Sequence, residues 1–124
     1  MNTFEEYIRN FNYASIGPMK IAAKRFLEQI KTDKIVAIDA RFTEEYALWH
    51  IDFIPNIPIN ELPDRLDELD KDKTIVVCCP NETRSNIAMH YLLTKGFKAC
   101  FLVGGLIGLQ QHLLGNQARE FYNA

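Results

Sequence analysis

Cysteine is scarce: Cys78, Cys79 and Cys100 are the three thiols in 124 residues. So small and odd a number cannot form the disulfide framework that staples short secreted domains, so stability must come from a core. Charge of one sign is also lacking. Fourteen basic against sixteen acidic residues leave a net charge of −2, which gives nucleic acid or an anionic membrane no electrostatic footprint. No long hydrophobic run is present either. The twenty uncharged residues from Ala99 to Ala118 are interrupted by Gly104, Gly105, Gly108 and Gly115, and their apolar part ends near Leu109. A membrane-spanning helix needs ~18 consecutive apolar residues. Met1-Asn-Thr-Phe-Glu-Glu lacks the basic and apolar regions of a secretory leader. No metal-ligand spacing, Walker motif or dinucleotide fingerprint occurs. These absences predict a cytoplasmic, reduced, soluble chain with no membrane or nucleic-acid partner, no metal and no bound cofactor.

What is there is an average globular composition, 48% hydrophobic and 24% charged, at the length of one domain. Strand-like runs alternate with helical periodicity. Lys34–Ile38, Thr74–Cys78 and Lys98–Val103 read as strands, and Phe53–Ile59, broken by Pro55 and Pro58, as a short or edge strand. Phe4, Tyr7, Ile8 and Phe11 fall on one helical stripe. Pro18 is expected to open a helix burying Met19, Ala22, Ala23, Phe26, Leu27 and Ile30. Thr43 reads as an N-cap followed by Glu44 and Glu45, Asn60 caps a short helix to about Leu69, and a helix from Arg84 to Lys95 closes on Gly96. A final helix is expected from about Leu106 to the C-terminus. The pattern predicts an α/β domain, a mostly parallel central sheet flanked by helices on both faces. The expected division is a helical extension over 1–14, the domain over 15–112 and a helical tail over 113–124. The two ends either pack back on the domain or form a homodimer contact.

Ligands of such sheets bind beyond the carboxyl ends of the strands. Asp39-Ala-Arg41, Cys79 to Arg84 and Gly104-Gly105 occupy those positions. In Cys79-Pro-Asn-Glu-Thr-Arg84-Ser85 a cysteine ends a strand and an arginine opens a helix. The thiolate is the nucleophile, a free thiol has a pKa of ~8.5, and a helix N-terminus lowers it. A short loop there can turn backbone N–H groups inward as an anion cradle. Arg84 opposes the helix macrodipole and so calls for an anion, of which a bound substrate is one. The plainer account makes Cys79 a buried apolar residue and Arg84 a surface charge. Cys78, one residue earlier, should face the opposite side of the strand into the core, and Cys100 is a mid-strand core residue.

Ile38-Asp-Ala-Arg41 with Glu45-Tyr46, His50-Ile51, Asn56-Ile-Pro58, Cys79 to Ser85, Lys95-Gly-Phe97 and Gly104-Gly105 together resemble, in order and spacing, the rhodanese-like domain family. The resemblance runs from about Ser15 to His112. It implies a sulfurtransferase whose Cys79 takes a sulfane sulfur from thiosulfate or a persulfide donor and passes the persulfide to a thiol or protein-cysteine acceptor. Asn81, Glu82, Thr83, Arg84 and Ser85 match the loop and its closing basic residue, which bind the substrate sulfur. Asp39 and Arg41 match an acidic and basic pair beside the pocket, read as a structural ion pair. His50 is read as a hydrogen-bonded turn residue, and His90 and His112 as helix-face residues without partners. Four residues separate Cys79 from Arg84; phosphatases of similar fold have one more, which disfavours phosphate chemistry.

Two departures stand out. Glu82 replaces a glycine common in the family, whose positive φ would cost another residue ~1–2 kcal/mol. Its carboxylate either stabilises the helix N-terminus or repels anionic donors. Trp49-His-Ile-Asp-Phe-Ile54 stands where the family has Gly-His-Ile-Pro-Gly-Ala, which implies altered packing or a covered rim. Phe42 and Trp49 are read as packing residues. The alternatives to an enzyme are a non-catalytic interaction module or a persulfide carrier for one protein partner. The enzymatic reading requires a thiol that solvent can reach and an Arg84 that faces it.

Overall fold

β-Branched and apolar side chains dominate Ile35–Asp39 and Thr74–Cys78, and both segments become largely buried, paired strands of a parallel sheet. In the computed structural model, which describes residues 3–124, four parallel strands are present: β1 (Lys20–Ile21), β2 (Ile35–Asp39), β3 (Thr74–Cys78) and β4 (Lys98–Leu102). Their spatial order is β1-β4-β3-β2. The register sets Ile35 against Thr74 and Asp39 against Cys78, so the carboxyl ends of β2 and β3 finish level. Met1 and Asn2, the start of the predicted N-terminal extension and of the leader-free segment, lie outside the described residues.

Successive strand side chains point to opposite faces, and each face is sealed by helices. On one face Ala37, Val76, Cys78, Cys100 and Leu102 pack with Phe26 of α3 (Ala23–Gln29) and with Leu106 and Leu109 of α6 (Gly105–Gln110). On the other, Ile38, Ile75, Val77 and Ala99 pack with Ala88, Met89 and Leu92 of α5 (Thr83–Thr94). The remaining helices are α1 (Phe4–Arg9), α2 (Tyr13–Ile16), α4 (Thr43–Leu48) and α7 (Asn116–Asn123). Gly96, at φ +86°, ends α5 as expected, with the Phe97 N–H reaching back to the Leu92 carbonyl at 3.1 Å.

Several local expectations need correction. Pro18 lies in a 3-10 turn, Gly17–Met19, and the chain then forms β1, because the open edge of β4 takes up Lys20 and Ile21 as pairs to Phe101 and Leu102. The helix therefore starts at Ala23. Thr43 is the first residue inside α4, and the Glu45 side chain caps its start by accepting from the Phe42 N–H at 3.0 Å. Phe53–Ile59 contributes only a single bridge, Asn56 to Asp39. Asn60 to Leu69 forms two 3-10 turns, Ile59–Asp64 with Pro63 inside and Leu66–Glu68, since proline removes an N–H that an α-helix needs. The last helix is two, α6 and α7, parted at Gly115 (φ +59°), and His112 lies in the intervening turn. His90 has a partner: its Nδ1 lies 2.7 Å from the Tyr7 hydroxyl, which docks α1 onto α5.

Candidate active site

Cys79 directly follows β3, with three residues between it and the start of α5, so it lies near the mouth of that helix. Its Sγ accepts from the Ser85 N–H at 3.3 Å and donates to the Ser85 hydroxyl at 3.3 Å, which passes its own proton to the Glu82 carbonyl at 3.1 Å. Cys79 and Ser85 are each only 1% exposed.

The loop is anchored on one side by backbone. The Leu106 and Ile107 N–H groups at the start of α6 donate to the Cys79 and Pro80 carbonyls at 2.9 and 3.2 Å. Gly105 lets the two segments touch: a Cβ there would lie 2.1 Å from the Asn81 carbonyl oxygen and 2.4 Å from that of Pro80. In a trans peptide the carbonyl and the following N–H point opposite ways, so the Asn81 N–H faces away from α6. The N–H groups of Asn81, Glu82, Thr83 and Arg84 meet no acceptor among the described residues. Four free donors at a helix mouth beside a thiol form a cradle for a negatively charged sulfur.

Glu82 adopts φ −136°, so the loop makes no use of the positive φ that glycine would allow. Its carboxylate accepts the Gly104 N–H at 2.7 Å and so ties the loop to α6. The anion that Arg84 calls for is part of the protein. Its guanidinium grips both oxygens of Glu45 on α4, with Nη2 to Oε2 at 2.9 Å, and lies 5.6 Å from the Phe42 ring centre. That hydrogen-bonded pairing lowers the Glu45 carboxyl to about 2 and raises Arg84 above its ordinary value.

Asp39 and Arg41, 1% and 2% exposed, form a buried pair just past β2. Arg41 Nη2 donates to Asp39 Oδ2 at 2.9 Å and to the Trp49 carbonyl at 2.8 Å, and the guanidinium stacks 4.6 Å from the Trp49 ring centre. Asn56 clamps this turn by donating to the Asp39 and Arg41 carbonyls at 2.9 and 2.8 Å. Trp49 and Phe42, each about two-fifths exposed, thus cover the arginines at the rim. His50 donates from Nδ1 to the Tyr46 carbonyl at 2.9 Å and stacks on the Tyr46 ring.

Cys78 and Cys100 lie inside strands β3 and β4, not in the loop. Both are buried in the core, and burial raises the Cys78 thiol well above its ordinary value and the Cys100 thiol to about 11. Among the described residues no group of three or more His, Cys, Asp or Glu side chains is placed to hold a metal. Nor is any helix long and apolar enough to cross a membrane. The sequence places Glu45 in the first turn of a helix following Asp39-Ala-Arg41, but nothing in it points to the pairing with Arg84.

The comparisons agree with this architecture. Residues 22–112 match the model of the rhodanese-like domain. The chain is 31% identical over 90 residues to a sulfurtransferase of Allochromatium vinosum, covering 72% of this chain and 84% of that one. It is 33% identical over 89 residues to the Bacillus subtilis protein YtwF, covering 71% and 86%. The crystal structure of a rhodanese-related protein from Thermoplasma volcanium superposes with a TM-score of 0.67 at 29% identity, covering 74% of this chain and 90% of the other. A parallel sheet with a cysteine loop at its carboxyl edge, matched over most of the chain, makes this protein a member of the rhodanese-like domain family.

Proposed function

We propose that the chain is a sulfurtransferase working through a Cys79 persulfide. The observation that carries the proposal is Cys79 at the mouth of α5, its Sγ held by the Ser85 N–H and followed in its own loop by four N–H groups without an acceptor among the described residues. In the first step the Cys79 thiolate attacks the outer sulfur of thiosulfate or of a persulfide. The Sγ–S bond forms as the donor S–S bond breaks, and the electron pair leaves on sulfite or on a thiolate. The terminal sulfur of the resulting Cys79–S–S⁻ carries the charge, which the N–H groups of residues 81–84 and the Arg84 guanidinium offset. An acceptor thiolate, small or on a protein cysteine, then takes that sulfur and releases Cys79 as thiolate. The attacking form is the thiolate, which the helix mouth and loop N–H groups favour. Asp39 and Arg41 fix the turn behind the rim, and Ser85 orients Sγ.

One observation favours a second reading, a non-catalytic interaction module: Cys79 is 1% exposed and Arg84 is committed to Glu45. Intact-protein mass after incubation with thiosulfate or a persulfide donor separates the two. The expected result is a gain of one sulfur atom, absent in Cys79→Ser and reversed by cyanide or thiol. A gain only from a protein persulfide supports a carrier for one partner. No gain from any donor, with the fold intact, overturns the enzymatic reading and leaves the module.

A further inference from the structure

The loop around Cys79 is held on two sides by different kinds of bond. Towards α6 two backbone N–H groups donate to backbone carbonyls, Gly105 is in contact and the Glu82 carboxylate accepts from Gly104, so that side stays fixed by backbone even without the Glu82 bond. Towards α4 the restraint is a side-chain pair, Arg84 on Glu45, with about a third of each side chain open to solvent. Ion pairs of that exposure exchange readily with water and salt. Cys79, in the loop that these restraints hold, is 1% exposed, yet a nucleophile must be reached along a line to its sulfur. If Glu82 lets go of Gly104, the backbone bonds to α6 still hold, so among the described restraints the one whose release frees a side of the loop is the pair at Glu45.

We infer that Glu45 is a positioning residue that gates Cys79: its carboxylate holds Arg84 across the loop, and letting go of Arg84 opens the path to the thiol. The inference rests on the reading of Cys79 as the reactive thiol. Glu45 touches no reacting atom and acts only through Arg84. Release needs no covalent change, since water or the anionic end of an incoming molecule replaces the carboxylate on the guanidinium fork. Phe42, whose ring lies beside Arg84, moves with it.

The test uses the full chain and iodoacetamide, a neutral reagent that needs only an accessible thiolate. Alkylation of Cys79 is followed by intact mass against pH, with Cys79→Ser to subtract Cys78 and Cys100. The high-pH plateau reports access, whereas the midpoint reports ionisation. In Glu45→Gln the plateau rises about fivefold, the worth of one partly exposed pair. In the native chain the plateau rises as salt is taken from ~0.01 to ~1 M, while Glu45→Gln stays flat. A shifted midpoint with an unchanged plateau overturns the gate. Where circular dichroism shows that Glu45→Gln does not fold, a native plateau insensitive to salt overturns it instead. Alkylation involves no sulfur donor, so normal sulfur loading with an unchanged plateau removes the gate alone. A raised plateau without sulfur loading removes the sulfurtransferase reading alone.

Discussion

A guanidinium in the first turn of a helix is repelled by the macrodipole, and at Arg84 the Glu45 carboxylate offsets that repulsion. The consequence shows in the acid limb of stability. Glu45 is depressed to about 2 in the folded chain, against ~4.3 for an unfolded glutamate. A carboxyl whose folded value is the lower one contributes stability that is fully present above the unfolded value. That contribution is lost as pH falls from ~4.3 towards about 2. The pair is partly exposed, so solvent screening holds its worth to roughly 1 kcal/mol. Urea midpoints at pH 7 and pH 2.5 measure this. Native chain and Glu45→Gln should differ at pH 7 and converge at pH 2.5; an equal gap at both values would show that the loss is packing, not charge. The sequence made Arg84 conspicuous but not its partner, because the two lie 39 residues apart and no local pattern reports a contact at that distance.

At the scale of elements, α6 is short, and its first N–H groups are occupied by the loop that carries Cys79. Two glycines with nearly the same φ separate strain from contact. Gly105 has φ +61° and Gly115 φ +59°, but a Cβ at Gly105 would meet three loop carbonyls within 2.6 Å, whereas at Gly115 nothing lies within 4 Å. Gly115→Ala should cost about 1–3 kcal/mol from backbone strain alone, since its ψ of −126° is one that side chains rarely adopt. Gly105→Ala carries the left-handed penalty and must also displace Cys79 to Asn81, so its total is about 3 kcal/mol or more. Urea unfolding of both variants, with sulfur loading of Cys79, checks this; equal costs would mean that the loop yields freely. The strands over 35–39, 74–78 and 98–102 were legible because buried parallel strands read as apolar runs. β1 was not, since two residues carry no period and only the free edge of β4 makes them a strand. The turns after Asn60 escaped for a related reason: an apolar period speaks for a helix, while Pro63 restricts it to 3-10 geometry.

Across the whole molecule, the cysteine loop stands at one end of the sheet, held by α4 and α6, while α7 packs elsewhere. Phe121 of α7 lies 4.9 Å from the Phe53 ring, Lys31 lies 4.2 Å above its face, and a cleft of about 650 Å³ opens between α7 and α3. A helix with no fully buried residue, held by the half-buried Phe121 and by Lys31 on the Phe121 carbonyl beside an open cleft, is weakly attached, and the lowest-energy openings belong to such segments. We propose that the tail over 113–124 is an accessory to the domain rather than part of its chemistry. Phe121→Ala then removes a partly buried ring and should cost roughly 1 kcal/mol, well under the ~3–5 kcal/mol of a core phenylalanine. Its clearest sign is faster amide exchange confined to α7. Sulfur loading of Cys79 should stay within about twofold, because the loop's restraints on α6 and α4 are untouched and a shift that small is under ~0.5 kcal/mol. The outcome that would reverse this is a larger change in loading. Phe53 is four residues from Trp49, whose carbonyl holds Arg41, and a coupled response would mean that α7 sets the rim through that segment.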